Sequence, residues 1–162
     1  MNTKKVLLVG YFGVGKTSLI RRYVHNEFSE EYISTIGVRV SSKLVEVKDE
    51  EIKLLIWDVS GTHGDEKVPK SYFLGASAAM FVFDVSREST YMDIAEYLES
   101  LKEMSGLDEI VIVGNKKDLI TEQELEELKA SIPVKIDILT SAKENNNVND
   151  AFDILAQHTF VD

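Results

Sequence analysis

The run Gly10-Tyr-Phe-Gly-Val-Gly15-Lys16-Thr17 carries residue types and a spacing suited to phosphate chemistry. It has the form G-x-x-x-x-G-K-[ST]. In such a loop, glycines turn successive backbone N–H groups toward one point, the lysine reaches the β- and γ-phosphates, and the hydroxyl ligates Mg²⁺. The apolar run Lys5–Val9 before it reads as a buried strand, and Ser18-Leu-Ile-Arg-Arg-Tyr-Val after it reads as a helix. The nest therefore lies at the positive end of a helix dipole. The predicted cradle comprises Gly10, Gly13, Val14, Gly15, Lys16, Thr17 and Ser18. Lys16 is placed to stabilise the charge that develops in phosphoryl transfer.

Three more polar motifs follow apolar runs. In Leu55-Ile-Trp57-Asp58-Val-Ser60-Gly61 the Asp58 carboxylate ends an apolar strand and can hold a water on the Mg²⁺ bound by Thr17. Gly61 lacks a Cβ, so its N–H can approach a γ-phosphate. Asn115-Lys116-Lys117-Asp118 follows Glu109–Gly114. The Asp118 carboxylate can accept both N1–H and N2–H of guanine, a donor pair that adenine lacks. Lys116 can lay its stem on the base, and Asn115 can tie this loop to the phosphate loop. Ser141-Ala142-Lys143 follows Val134–Thr140. There the Ala142 N–H can reach the guanine O6 and Lys143 can cover the base edge. Each motif alone is also what a polar turn looks like. Their occurrence in order, each after an apolar run, points to one guanine-nucleotide site.

The elements that must hold them alternate along the chain. Strands are predicted at about 4–10, 38–48, 51–58, 78–84, 109–115 and 134–140, and helices at about 16–25, 88–104, 121–131 and 146–160. Residues 60–76 are less regular. Asp49-Glu50 separates the second and third strands, which makes them a hairpin. Thr121 with Glu124 forms a capping box at the start of a helix. The expected fold is α/β: a single domain over 1–162 with a six-stranded, mostly parallel, doubly wound sheet, one antiparallel edge strand and helices on both faces. Ligands of such sheets sit at the carboxyl ends of the strands, where all four motifs fall.

Composition bounds the partners. The chain has 162 residues, 44% hydrophobic and 28% charged, and a formal net charge of −10. That charge opposes nucleic acid and anionic membrane surfaces. Cysteine is absent, which excludes disulfides, thiolate metal sites, prenylation and palmitoylation in this chain. With no secretory signal pattern either, the expectation is a cytoplasmic protein without a lipid anchor.

Taken together, the motifs resemble those of the small GTPases of the Ras superfamily, with the P-loop NTPase fold, from Lys4 to about Phe160. Segments such as Ser34-Thr-Ile-Gly-Val38, Ile56-Trp57-Asp58, Ser71-Tyr72-Phe73-Leu-Gly75-Ala76 and Phe83-Asp84-Val85 are most similar to the Rab branch. The resemblance implies a switch that binds GTP or GDP with Mg²⁺. It implies that Phe28 packs on the guanine, that Tyr32 and Thr35 belong to the first switch, and that Thr35 joins Thr17 and Asp58 around the metal. It implies a second switch from Asp58 to about Tyr72. A GTPase-activating protein, an exchange factor and effectors would engage residues 30–40 and 58–75. Trp57 and Tyr72 match aromatics of the Rab effector surface, whereas Val40 stands where Rabs usually carry an aromatic.

Three departures from the family pattern matter most. Thr62 replaces the glutamine that orients the attacking water, so Gly61 and Thr62 frame a catalytic position expected to work slowly without a partner. The adjacent His63 reads as an exposed loop histidine, with water orientation as its alternative. Phe12 replaces a small residue. Folded over the nucleotide it would obstruct a partner's arginine, and turned outward it would contact that partner. The chain also ends at Gln157–Asp162 without a cysteine-bearing tail. The leading expectation is slow, partner-assisted hydrolysis, and the alternative is a GTP-locked binding module.

Overall fold

A computed structural model describes residues 2–24, 38–59 and 69–160, with the backbone alone of 32–33. The strands are β1 (Asn2–Val9), β2 (Tyr32–Ile33), β3 (Arg39–Val47), β4 (Glu50–Asp58), β5 (Ala78–Asp84), β6 (Val111–Asn115) and β7 (Ile138–Leu139). They form one sheet in the order β2-β3-β4-β1-β5-β6-β7. β1, β4, β5, β6 and β7 run parallel, while β3 runs antiparallel to both of its neighbours. The six expected strands are all present, and the two-residue β2 adds a seventh outside the antiparallel strand. The hairpin turns on Lys48-Asp49, one residue earlier than expected. Both residues take positive φ (51° and 63°), the backbone of a two-residue turn that follows the sheet's twist.

Alternation along the strands builds two cores. Val6 and Leu8 of β1 face one layer, with Ile52, Leu54 and Ile56 of β4 and Met80 and Val82 of β5. Against them pack α1 (Lys16–Val24) through Leu19 and Tyr23, and α4 (Val148–His158) through Phe152 and Leu155. Leu7, Val9, Phe81, Phe83 and Ile112 face the other layer, with α2 (Ile94–Ser105) and α3 (Glu122–Ser131). Burial on both faces explains why these strands read as continuous apolar runs. The capping box is formed: Thr121 Oγ1 accepts from the Glu124 N–H, and Glu124 Oε1 accepts from the Thr121 N–H.

Two elements are shorter than their sequence suggests. The stretch 88–104 is a 3-10 turn at Glu88–Thr90 followed by α2. Thr90 is buried, and its hydroxyl accepts from the Asp84 N–H and donates to the Arg87 carbonyl at 2.7 Å, closing a local turn instead of continuing a helix. In 134–140, the Asp137 carboxylate takes the Ile112 N–H at 2.7 Å, a donor that a backbone carbonyl would otherwise have matched. Regular pairing of β7 is then confined to Ile138 and Leu139.

Candidate nucleotide-binding site

The phosphate loop leaves the central strand β1, flanked by β4 and β5, where the order of connections reverses. Its backbone takes conformations that only glycine adopts readily: φ is +148° at Gly10 and +101° at Gly15. A Cβ on Gly10 would lie 2.2 Å from the Val82 carbonyl oxygen, and one on Gly15 would lie 2.3 Å from Asn115 Nδ2. Lys16 opens α1 and is 4% exposed, with Nζ donating to the carbonyls of Gly10 (3.0 Å) and Tyr11 (3.4 Å). Burial lowers the pKa of its ammonium, and the nearby Asp58 opposes that shift.

Parallel register brings Asp58 to the loop. It pairs with Leu8 at the end of β4, and the Val59 N–H donates to the Leu8 carbonyl at 3.0 Å. Thr17 Oγ1 donates to Asp58 Oδ2 at 2.8 Å. Asp58 is buried, and its Oδ1 has no hydrogen-bond partner among the described residues. A threonine hydroxyl and a carboxylate oxygen without a partner are hard oxygen donors of the kind Mg²⁺ takes. These residues therefore fit the metal.

On the base side, Asn115 is the hub. Its Nδ2 donates to the Val14 carbonyl at 2.9 Å, and its Oδ1 accepts from the Thr140 hydroxyl (2.9 Å) and the Ala142 N–H (3.3 Å). One buried amide thus joins the phosphate loop to both loops predicted to read the base. Lys116 adopts the left-handed conformation (φ 66°) and donates to the Gly13 carbonyl at 2.7 Å. Asp118 accepts from the Ser141 hydroxyl at 2.7 Å, which fixes the carboxylate beside the cleft. Gly15, Ser18, Asn115, Lys116, Asp118 and Ala142 line that cleft, about 510 Å³ in volume, with Lys143 at its wall.

Phe28, Thr35, Gly61, Thr62 and His63 lie outside the described residues, and Tyr32 is described in its backbone only. Phe12 is 71% exposed. Four organising residues escaped the sequence reading. Asp84, buried at the end of β5, pairs with Lys116 Nζ at 3.1 Å and accepts from the Ser86 N–H and hydroxyl. Burial alone would raise its pKa, but Ser86 and Lys116 together hold it below the usual carboxylate range. Thr140 supports Asn115. Arg22 on α1 donates to the carbonyls of Ala142 (2.8 Å) and Lys143 (2.9 Å), holding the third loop against the helix. Tyr11 is the fourth; its hydroxyl donates to Asp93, just before α2. A carboxylate closing β5, as Asp58 closes β4, was a readable signal for Asp84.

Away from the cleft, Trp57 meets Tyr72 edge-on (5.7 Å, 89°), and Lys5 Nζ lies 3.9 Å from the Trp57 ring centroid. Val40 pairs with Trp57 across β3 and β4, so the aliphatic substitution sits beside this aromatic pair.

The amino-acid sequence is similar to that of known proteins along most of its length. The Ras family model matches residues 5–160. The chain is 33% identical over 159 residues to Ras-related protein Rab-13 of Mesocricetus auratus, covering 94% of this chain and 78% of that protein. It is 36% identical over 153 residues to Ras-related protein Rab-4B of Homo sapiens (91% and 72%). It is 32% identical over 158 residues to Ras-related protein SEC4 of Saccharomyces cerevisiae (94% and 73%).

Proposed function

The chain belongs to the Ras family and is Rab-like, and from that premise we propose that it is a guanine-nucleotide switch with slow, partner-assisted GTP hydrolysis. The Asn115 bridge carries the reading, because it joins the phosphate loop to the loop of Thr140 and Ala142, whose Ser141 holds the Asp118 carboxylate beside the same cleft. The backbone N–H groups of the loop and Lys16 would hold the β- and γ-phosphates. Asp118 would accept from N1–H and N2–H of guanine, with Ser141 fixing its carboxylate. Thr17, Asp58 and Thr35 would hold Mg²⁺, which when bound neutralises charge on the β- and γ-phosphate oxygens.

Hydrolysis by this chain would rest on positioning and electrostatics. Phosphoryl transfer passes through a loose transition state, so Lys16 and the loop amides act on charge that develops as the bond breaks. At position 62 a threonine is too short to orient water as a glutamine does. A partner would then supply what is missing, reaching the chain through residues 30–40 and 58–75. Phe12, largely exposed on the loop, would then be one of the residues such a partner meets.

Competition binding and single-turnover hydrolysis test these statements. GDP and GTP are expected to bind in a Mg²⁺-dependent way, with ATP weaker by at least about 10³-fold, because the carboxylate would find no donor pair on adenine. Asp118→Asn is expected to turn the preference toward xanthine, whose second carbonyl accepts from an amide. Equal affinity for ATP and GTP would overturn the base assignment. Thr62→Gln is expected to raise the intrinsic single-turnover rate roughly 10–100-fold. The substitution at position 62 also favours a second reading, a GTP-locked module. Absence of phosphate release over many hours, alone and with cell lysate, would select it.

A further inference from the structure

Tyr11 belongs to the phosphate loop, yet its side chain leaves the loop. Its hydroxyl donates to Asp93 Oδ2, at the residue that precedes α2. Its ring meets Tyr97 of α2 edge-on, with centroids 5.4 Å apart at 66°. Tyr97 in turn packs edge-on against Phe81 of β5 at 4.8 Å, and Phe81 is fully buried. The ladder therefore runs from the loop into the rigid core. The backbone of Tyr11 points the other way: its carbonyl, beside that of Gly10, accepts from Lys16 Nζ. One residue is fixed to α2 by its side chain and to the phosphate-site lysine by its main chain.

We propose that Tyr11 is a positioning residue for the phosphate site, a strut that holds the outer limb of the loop on α2 and so sets where the Lys16 ammonium stands. The loop needs such a strut. Gly10 and Gly13 flank the limb, and glycine leaves the backbone free to choose among conformations. The carboxylate end of the strut is itself constrained. Asp93 Oδ1 is buried without a hydrogen-bond partner among the described residues, and the Tyr11 hydroxyl supplies a donor to the other oxygen, Oδ2. Burial, followed by the Asp93 carboxylate, raises the pKa of the phenol, so Tyr11 stays the protonated donor through the physiological range.

The inference rests on guanine-nucleotide binding, and its test separates the two. Wild type, Tyr11→Phe, Asp93→Ala, Asp93→Asn and the Tyr11→Phe/Asp93→Ala double variant are loaded with a fluorescent GDP analogue, and release is followed after a chase of excess GDP. ³¹P NMR of bound GDP and the melting temperature are recorded alongside. Tyr11→Phe keeps the ring and removes one hydrogen bond, so release is expected to quicken about 3–10-fold with a moved β-phosphate resonance. Asp93→Ala is expected to match it, and the double variant to add nothing further, because both changes break one interaction. Asp93→Asn keeps an acceptor and is expected to stay within about twofold of wild type. Unchanged release and an unmoved ³¹P resonance in Tyr11→Phe would overturn the proposal, even with a lowered melting temperature, since the tyrosine would then serve only the fold. Multiplicative effects in the double variant would overturn it too. A wild-type chain that holds no GDP would remove the premise, and the inference with it.

Discussion

Truncating Asn115 to alanine is the sharpest test of how the site is assembled. The change removes one buried side chain and strands three groups: the Val14 carbonyl, the Thr140 hydroxyl and the Ala142 N–H. Val14 and Thr140 are fully buried. A made hydrogen bond is worth about 1 kcal/mol net, while a buried group left without a partner costs about 1–3 kcal/mol. The site opens onto the 510 Å³ cleft, so water can partly replace the lost amide, and the low end applies. The expected loss is about 3 kcal/mol. For a domain of this size that lowers the melting temperature by about 6–12 °C. The measurement is thermal unfolding at several GDP concentrations, because bound nucleotide adds its own stability by mass action. GDP release should also quicken, since the amide no longer joins the phosphate loop to the base loops. Thr140→Val supplies the internal check. In wild type it removes a satisfied hydroxyl, whereas in the Asn115→Ala background it removes an orphan, so its cost should shrink by about 1 kcal/mol. A drop below about 3 °C at every GDP concentration, or a Thr140→Val effect that is the same in both backgrounds, would refute the bridge as the organising contact.

Other perturbations have equally direct readouts. Gly10→Ala should cost about 3 kcal/mol or more in denaturant unfolding, because the new Cβ would meet the Val82 carbonyl at 2.2 Å and strand backbone cannot yield cheaply. A cost under about 1 kcal/mol would mean that β5 gives way there. Asp84 has a folded pKa held below its ordinary value. Its contribution to stability is therefore present above about pH 4 and lost as pH falls through the folded pKa. Asp84→Asn should be less stable than wild type at pH 7, and the gap should narrow as the pH is lowered below about 4. A gap that stays constant would discount the pairing with Lys116 and Ser86. Phe12→Ser should change the melting temperature by no more than about 1–2 °C, since its ring is largely exposed, and a larger fall would show that the ring packs against the fold.

The periodicity of the chain told most about strands buried on both faces. β1, β5 and β6 read as unbroken apolar runs because side chains of alternate residues enter separate cores, and no solvent face interrupts them. Prediction failed where a polar side chain replaced a backbone partner. Thr90 and Asp137 both satisfy main-chain groups through their own oxygens, and the regular element in each stretch begins only after them. The same limit applies within the site. Spacing made Lys16, Thr17, Asp58, Asn115 and Asp118 legible, because each motif fixes them relative to a strand end. The pattern G-x-x-x-x-G-K-[ST] is silent about its x positions, and those are where this chain departs from expectation. Phe12 turns out to solvent, while its neighbour Tyr11 turns in to Asp93 and Tyr97. Nothing in local spacing separates these two aromatics. What separates them is the start of α2, more than 80 residues downstream, which offers an acceptor and a ring face to one of them. A motif specifies the backbone that holds a phosphate. The stiffness of that backbone is set by whichever distant element its variable side chains reach, and here the structure ties it to α2 through Tyr11.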